Sequence, residues 1–399
     1  MSFDDPESAR SAVSIFMRTE VLAARFEATA RAEPEVGNLW RSEIALAEAV
    51  ASTGLEGIRI SEGDLLPRVA LNGSQDADPS GSELALSLIR VLKAPGDPLR
   101  DPVATVRRFE MAVGTGMGPH AECQEWPERH RVEDKEIEAI FRNLAPGDMP
   151  ILTAAQAAAS YAARSEHANP VIERLVFMSV ESALRGRTVG WTGPSDALRG
   201  LSGRVNANWV SPPALALSHR QFIPWSPSSE KGLLELGTGL ARVFEAEVGR
   251  FALLRDWLRR GREAAQGRGG RSRLGDAVHA FGNAPVLSSA LLSDMIGVTA
   301  KTALTIMGEM TSLGLLQEIT HRRTARIWAI QGLARRLMAR PSRRAMRQAS
   351  GKTLPTKMRE GGYQFRAEQR EADQQAMERV FADLDAVLGK AQLQSLRRT

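Results

Sequence analysis

The sequence predicts a mainly α-helical protein. Apolar residues recur at three- and four-residue steps through most of the chain. Gly-, Pro- and Ser-rich stretches separate those runs. Only two short segments, between residues 315 and 330, read as strands. An apolar fraction of 43% over 399 residues is enough to bury real cores, and the length allows two or three domains.

The first helix is expected over 8–32, with Ala12, Ile15, Phe16, Val21, Leu22 and Phe26 on its stripe. The second is expected over 37–52, through Leu39, Trp40, Ile44, Ala47 and Val50. Residues 72–82 are a Gly/Ser/Asp/Pro-rich loop, and helical patterns return at 82–93, 101–112, 134–143, 151–164 and 170–185. Residues 186–228 are richer in Gly, Pro, Ser and Trp and read as an irregular insertion before a long helix over 229–264. These segments form a helical body, residues 1–264, followed by a Gly- and Arg-rich linker, residues 265–272.

Residues 273–332 carry the most specific pattern. A short helix at 273–281 is broken at Asn283-Ala284-Pro285. Ser288 or Ser289 can cap a second helix bearing Leu291, Leu292, Met295 and Ile296. Gly297 supplies a tight turn, Val298 an apolar plug, and Thr299 the N-cap of a third helix, 300–313. That helix places Ala303, Ile306, Met307, Met310 and Leu313 on one face and Lys301, Thr302 and Thr305 on the other. Gly314 ends it. Strands at Leu315–Thr320 and Arg326–Ile330 then flank a basic hairpin tip, His321-Arg322-Arg323-Thr324-Ala325. Helix, turn, helix and basic hairpin predict a winged helix-turn-helix, whose second paired helix enters the DNA major groove. Ser289, Thr299, Lys301, Thr302 and Thr305 are the expected contacts of the helices, and His321, Arg322, Arg323 and Arg326 those of the wing.

Charge follows the same division. Residues 1–150 carry a net −10, whereas residues 251–350 carry +11, within a total of +5. Twelve Lys/Arg and no Asp/Glu lie between Arg322 and Arg359. This asymmetry fits an anion-seeking end on an acidic body. Arg335 and Arg336 extend the expected footprint downstream into a basic segment, 333–362; Arg255, Arg259, Arg260, Arg262, Arg268, Arg271 and Arg273 extend it upstream. A last helix is expected within 363–399, with Phe365, Ala372, Ala376, Phe381, Leu384, Val387 and Leu388 on its stripe. The stripe can dock on the rest of the chain or pair two copies, and a two-fold homodimer would match a palindromic DNA site.

Residues 47–66 look like the N-terminal segment of Fic-type proteins. Ser52-Thr53-Gly54-Leu55-Glu56-Gly57 fits their inhibitory pattern: Ser/Thr, three residues, then Glu-Gly/Asn. The resemblance implies a glutamate, Glu56, that pairs with an active-site arginine and blocks a nucleotide's γ-phosphate. It also implies a histidine base followed by a Gly-rich phosphate loop ending in two arginines. The matching segment is His167-Ala168-Asn169-Pro170-Val171-Ile172-Glu173-Arg174. It lacks glycine, has Phe177 where the second arginine belongs, and is one residue short, so its amides cannot close around phosphates. A degenerate site is expected, with Arg174 able to substitute as the partner of Glu56. The whole chain resembles bacterial helix-turn-helix proteins, often plasmid-borne, with a Fic-related N-terminal domain and a C-terminal winged helix. The likeness covers about residues 35–330.

Other chemistry is not expected. His120, Cys123 and His130 share one loop without a tight ligand pair, so no metal is expected there. Gly114-Thr115-Gly116-Met117-Gly118 lacks dinucleotide-loop spacing, and Gly351-Lys352-Thr353 lacks the earlier glycine of a P-loop. One cysteine, no apolar run of membrane length and no signal-like N-terminus lead to a cytoplasmic, nucleoid-associated expectation with no membrane partner. The expected function is sequence-specific binding of double-stranded DNA, without cofactor or enzymatic activity, as a transcriptional regulator or replicon-maintenance factor. The alternatives are a divergent Fic-type nucleotidyl- or phosphate-transfer enzyme and a scaffold whose acidic body binds a protein partner.

Overall fold

Why the helices begin where they do is written in their prolines. In the computed structural model, α1 (Pro6–Ala32), α2 (Pro34–Leu55), α3 (Pro79–Lys93) and α4 (Pro102–Gly116) each open on proline. So do α6 (Pro150–Arg164), α7 (Pro170–Gly186) and α8 (Pro213–Ser218). A first-turn residue needs no N–H for the helix ladder, and proline's fixed φ is already helical. Between them α5 (Asp134–Arg142) starts on a capping box formed by Glu133 and Glu136. The 36-residue α9 (Glu230–Ala265) starts on Ser229, whose hydroxyl accepts from the Gly232 N–H at 3.1 Å. The structure describes residues 6–58, 60–65, 79–116, 132–144, 149–165, 169–186, 205–218, 223–266, 268, 272–320 and 326–338.

α2 is the centre of the body and is buried along nearly its whole length. Trp40 packs its ring 4.6 Å from Phe26 and 6.0 Å from Trp209, and its indole N–H donates to Glu247 at 2.8 Å. α1 and α9 run beside it, bringing Phe244 and Phe251 against Phe26.

Two buried glutamates serve as remote helix caps. The N–H groups of Ile151 and Leu152 donate to Glu20 at 2.6 and 3.2 Å, satisfying the start of α6. Those of Ala214 and Leu215 donate to Glu48, both at 2.8 Å, at the start of α8. Each cap supplies acceptors that the local sequence lacks. Burial pushes both carboxyls up to about 7 despite the pull of these N–H groups.

The C-terminal unit comprises α10 (Leu274–Asn283), β1 (Val286–Ser288), α11 (Ser289–Ile296), α12 (Ala300–Ser312), β2 (Leu316–Glu318), β3 (Ile327–Ile330) and α13 (Gln331–Met338). Its sheet has the order β1-β3-β2, antiparallel throughout, with Leu287 opposite Trp328 and Gln317 opposite Ala329. β1 is an addition to the sequence expectation. All three of its residues are buried, so it shows no alternation to read.

Across residues 265–272 the unit packs on the body. α9 runs to Ala265, and one apolar core continues from Phe251, Leu254, Trp257 and Leu258 into Leu274, Val278 and Phe281. The Trp257 indole donates to Leu315 O at 2.7 Å, pinning the chain just before β2. The expected boundary at 332/333 also falls inside α13, whose Leu333 and Ala334 are buried. The rest of the basic segment, the 363–399 helix, and the loop holding His120, Cys123 and His130 lie outside the described residues. Among the described residues no single helix is long and apolar enough to cross a membrane.

Candidate nucleic-acid interface

α11 and α12 are joined through Gly297 and Val298, and the chain bends by 107° between them. Gly297 sits at φ 65°, ψ 44°, the left-handed position that glycine adopts without steric cost. Its N–H and that of Val298 both return to Ser293 O, closing α11. Ser288 is the N-cap of α11, accepting from the Leu291 N–H at 3.3 Å; Ser289 is the first helical residue and half-buried. Thr299 caps α12, its hydroxyl accepting from the Thr302 N–H at 3.2 Å.

α12 is divided cleanly. Ala303, Ile306, Met307 and Met310 are buried against the unit's core, whereas Leu313, expected on the same face, is the C-cap residue and 40% exposed. Lys301, Thr302 and Thr305 are exposed, as expected, and so are Leu304 and Gly308, which the sequence reading did not single out. Helical spacing puts Lys301, Leu304, Thr305 and Gly308 on one outward stripe. The threonine hydroxyls are already engaged. Thr305 donates to Lys301 O at 3.1 Å, and Thr302 and Thr299 share a hydrogen bond at 2.9 Å. A Cβ built on Gly308 would meet nothing within 4 Å, so the protein's own packing does not require glycine there.

The hairpin supplies one described basic residue. Arg326 pairs with Glu318 of β2, with its Nε 2.9 Å from Oε1, and its guanidinium lies 4.8 Å over the Trp328 ring. The tip bearing His321, Arg322 and Arg323 lies outside the described residues. On α13 the two expected arginines separate. Arg335 is exposed, whereas Arg336 points into the body, where its Nε donates to Glu62 at 2.9 Å and its Nη2 to Glu43 O at 3.3 Å. Arg336 therefore ties unit to body, whereas Arg335 carries no such pair among the described residues.

The upstream arginines are also partnered. Arg255 pairs with Glu33, Arg262 with Glu35, Arg259 and Arg260 with Asp256, Arg273 with Asp276, and Arg268 with Glu309 of α12. These pairs are at the surface and cost little to open, but their acids cancel much of the flank's net charge. Arg271 lies outside the described residues. Lys301 and Arg335 are the cations of the unit that carry no ion pair among the described residues.

A second constellation lies in the body. α2 ends in a Schellman arrangement: the Ile58 N–H returns to Thr53 O and the Gly57 N–H to Gly54 O, with Gly57 at φ 79°. This leaves Glu56 at the helix C-terminus, an unfavourable place for a carboxylate on its own. Arg174 of α7 compensates. Its Nη2 donates to Glu56 at 2.7 Å and to Ser52 Oγ at 2.9 Å, and its Nε to the same hydroxyl at 3.1 Å. Arg174 is 2% exposed, and its Nη1 has no hydrogen-bond partner among the described residues. Asn169 caps α7, accepting from the Val171 and Ile172 N–H groups at 3.1 and 3.3 Å. The expected trio Ser52, Glu56 and Arg174 thus meets, while His167 lies outside the described residues.

No protein-family model matches the chain, and no curated protein matches its sequence.

Proposed function

We propose that the chain is a sequence-specific double-stranded DNA-binding protein whose C-terminal unit is a winged helix-turn-helix. The single observation that carries this reading is the outward stripe of α12, set at 107° to α11 by the Gly297 turn and headed by Lys301. A helix pair at 90–120° with a glycine turn is the form in which the second helix enters a major groove. The order helix, strand, helix, helix, strand, strand supports it further, because the β2–β3 hairpin then stands beside α12 as a wing. Beyond Ile330 the sequence adds an acid-free arginine run that suits phosphate contacts. In the cell this reading fits a transcriptional regulator or a replicon-maintenance factor.

The test is a titration of duplex DNA by fluorescence anisotropy at several salt concentrations. If six to ten cations meet phosphates, affinity falls roughly 10³–10⁵-fold between 50 and 200 mM salt. A flat salt profile would sink the reading. Lys301→Ala is expected to weaken binding and relax base preference together.

A second reading concerns the body, and the Glu56–Arg174 contact favours it. The body is a Fic-like domain that retains the inhibitory glutamate contact but lacks the phosphate loop. The acidic first 150 residues then serve as a surface for a protein partner rather than for DNA.

A further inference from the structure

Resting on the DNA-binding reading, we infer that α12 recognises thymine through its 5-methyl group, with Leu304, Thr305 and Thr302 making the contact. In the major groove guanine is read by Arg or Lys, adenine by Asn or Gln, and cytosine by Asp or Glu; thymine is distinguished by its methyl group, which takes an apolar contact. The outward side of α12 has no Asn, Gln or Arg. Its one acid, Glu309, is held by Arg268. Lys301 remains for a guanine or a phosphate.

What the stripe otherwise presents is apolar. Leu304 is 39% exposed and belongs neither to the apolar core nor to the partly buried residues packed on it. Thr305 spends its hydroxyl proton on Lys301 O, and Thr302 shares its hydroxyl with Thr299. With those hydroxyl protons engaged, the exposed threonines can still accept a hydrogen bond, and each also carries a methyl group for an apolar contact. Gly308, one turn further, carries no side chain on the same stripe, so the helix backbone can come close to base edges. The occupant is a DNA groove rather than a protein's apolar face, because the chain continues from this unit into an arginine run without a single acid from Arg322 to Arg359.

The probe is the duplex that the full-length chain enriches from a random-sequence library. It is resynthesised with deoxyuridine at one thymine after another, which removes only the methyl. The expected result is a loss of about fourfold in affinity for each contacted methyl, at one to three positions per half-site. The variants Leu304→Ala and Thr305→Ser, both at exposed positions, lose that discrimination at one position each; the serine keeps the hydroxyl and deletes only the methyl. Equal binding of thymine and deoxyuridine duplexes at every position would overturn the methyl readout while leaving DNA binding intact. An enriched site without thymine would do the same. Failure to bind any duplex in a salt-dependent way would overturn both readings at once.

Discussion

Arg336 of α13 donates its Nε to Glu62 at 2.9 Å, joining the C-terminal unit to the segment that follows α2. The same guanidinium reaches Glu43 O, and Arg250 of α9 donates its Nε to the Glu43 carboxylate at 2.8 Å. Three elements of the body and the last helix of the unit are thus tied at one point. On the proposed function the adjacent Arg335 and Arg336 have opposite roles. Arg335→Ala is expected to lower the slope of log affinity against log salt by about 0.9, the loss of one phosphate contact, and to leave stability alone. Arg336→Ala is expected to leave that slope unchanged and to cost about 1.5–3 kcal/mol, the range of charge-assisted hydrogen bonds. Anisotropy titrations and urea unfolding on both variants check this, and a flattened slope for Arg336→Ala at unchanged stability would overturn that tie.

Gly308 offers a test in which stability and binding move in opposite directions. It lies inside α12, exposed, with open space where a Cβ would be. Glycine inside a helix costs roughly 0.5–1 kcal/mol relative to alanine. Gly308→Ala should therefore raise the unfolding midpoint while weakening DNA binding, since the added methyl meets the groove. Gly249 of α9 is also exposed with open space, but it lies in the body. Gly249→Ala should give the same stabilisation with no loss of binding. Equal DNA affinity for the two variants would remove α12 from the interface.

Most of the helices were legible because the 3.6-residue period of their buried faces is written directly in the sequence. Their starts were less so. Proline argues against a helix interior, so α2, α3 and α6 begin one to three residues before the periodicity does. β1 carries no signal, being three buried residues. Leu304 and Gly308 carry no such signal, because hydrophobic periodicity marks the face that is buried. The tie from Arg336 to the body is not legible for a different reason: its partner Glu62 stands 274 residues away, and nothing in the acid-free run around it announces an acid from the other end of the chain. The Ser52–Glu56–Arg174 meeting was legible only through resemblance, since the pairing is equally non-local.

The buried cap of α8 makes stability depend on pH. The Glu48 carboxyl, raised by burial from 4.5 to about 7, holds its proton in the folded chain between those values, where the unfolded chain has lost it. The folded state then binds more protons, so its stability falls as pH rises from about 4.5 to about 7, by at most about 1.4 kcal/mol per pH unit for this group. Glu20 acts in the same direction at the start of α6. Glu48→Gln removes the titration but keeps only one of the two accepting oxygens, its NH2 facing the other N–H, so the variant is less stable throughout and the pH slope is the readout. Urea midpoints at pH 5, 6 and 7 should therefore fall less steeply for the variant than for the parent. Parallel profiles would show that Glu48 is ionised throughout.

Arg174 is where the proposed Fic-like reading of the body can be tested. It is buried, and it holds Ser52 and Glu56 in the last turn of α2 against α7. Arg174→Ala leaves the neighbouring Glu56 without its cation and removes the tie between the helices, at a cost of about 3–5 kcal/mol. Glu56 itself is 20% exposed, so Glu56→Gly should cost less. In a working Fic-type site, removing that glutamate would open room for a γ-phosphate. Here α7 begins at Pro170, and the Val171 and Ile172 N–H groups that would face a phosphate already donate to the Asn169 side chain. No glycine lies between His167 and Arg174 to turn other amides inward. Glu56→Gly is therefore expected to acquire no covalent label from radiolabelled ATP and no thermal shift in its presence. Labelling of that variant, abolished by His167→Ala, would show that the loop closes around phosphate by a route its sequence does not reveal and would make the body an enzyme.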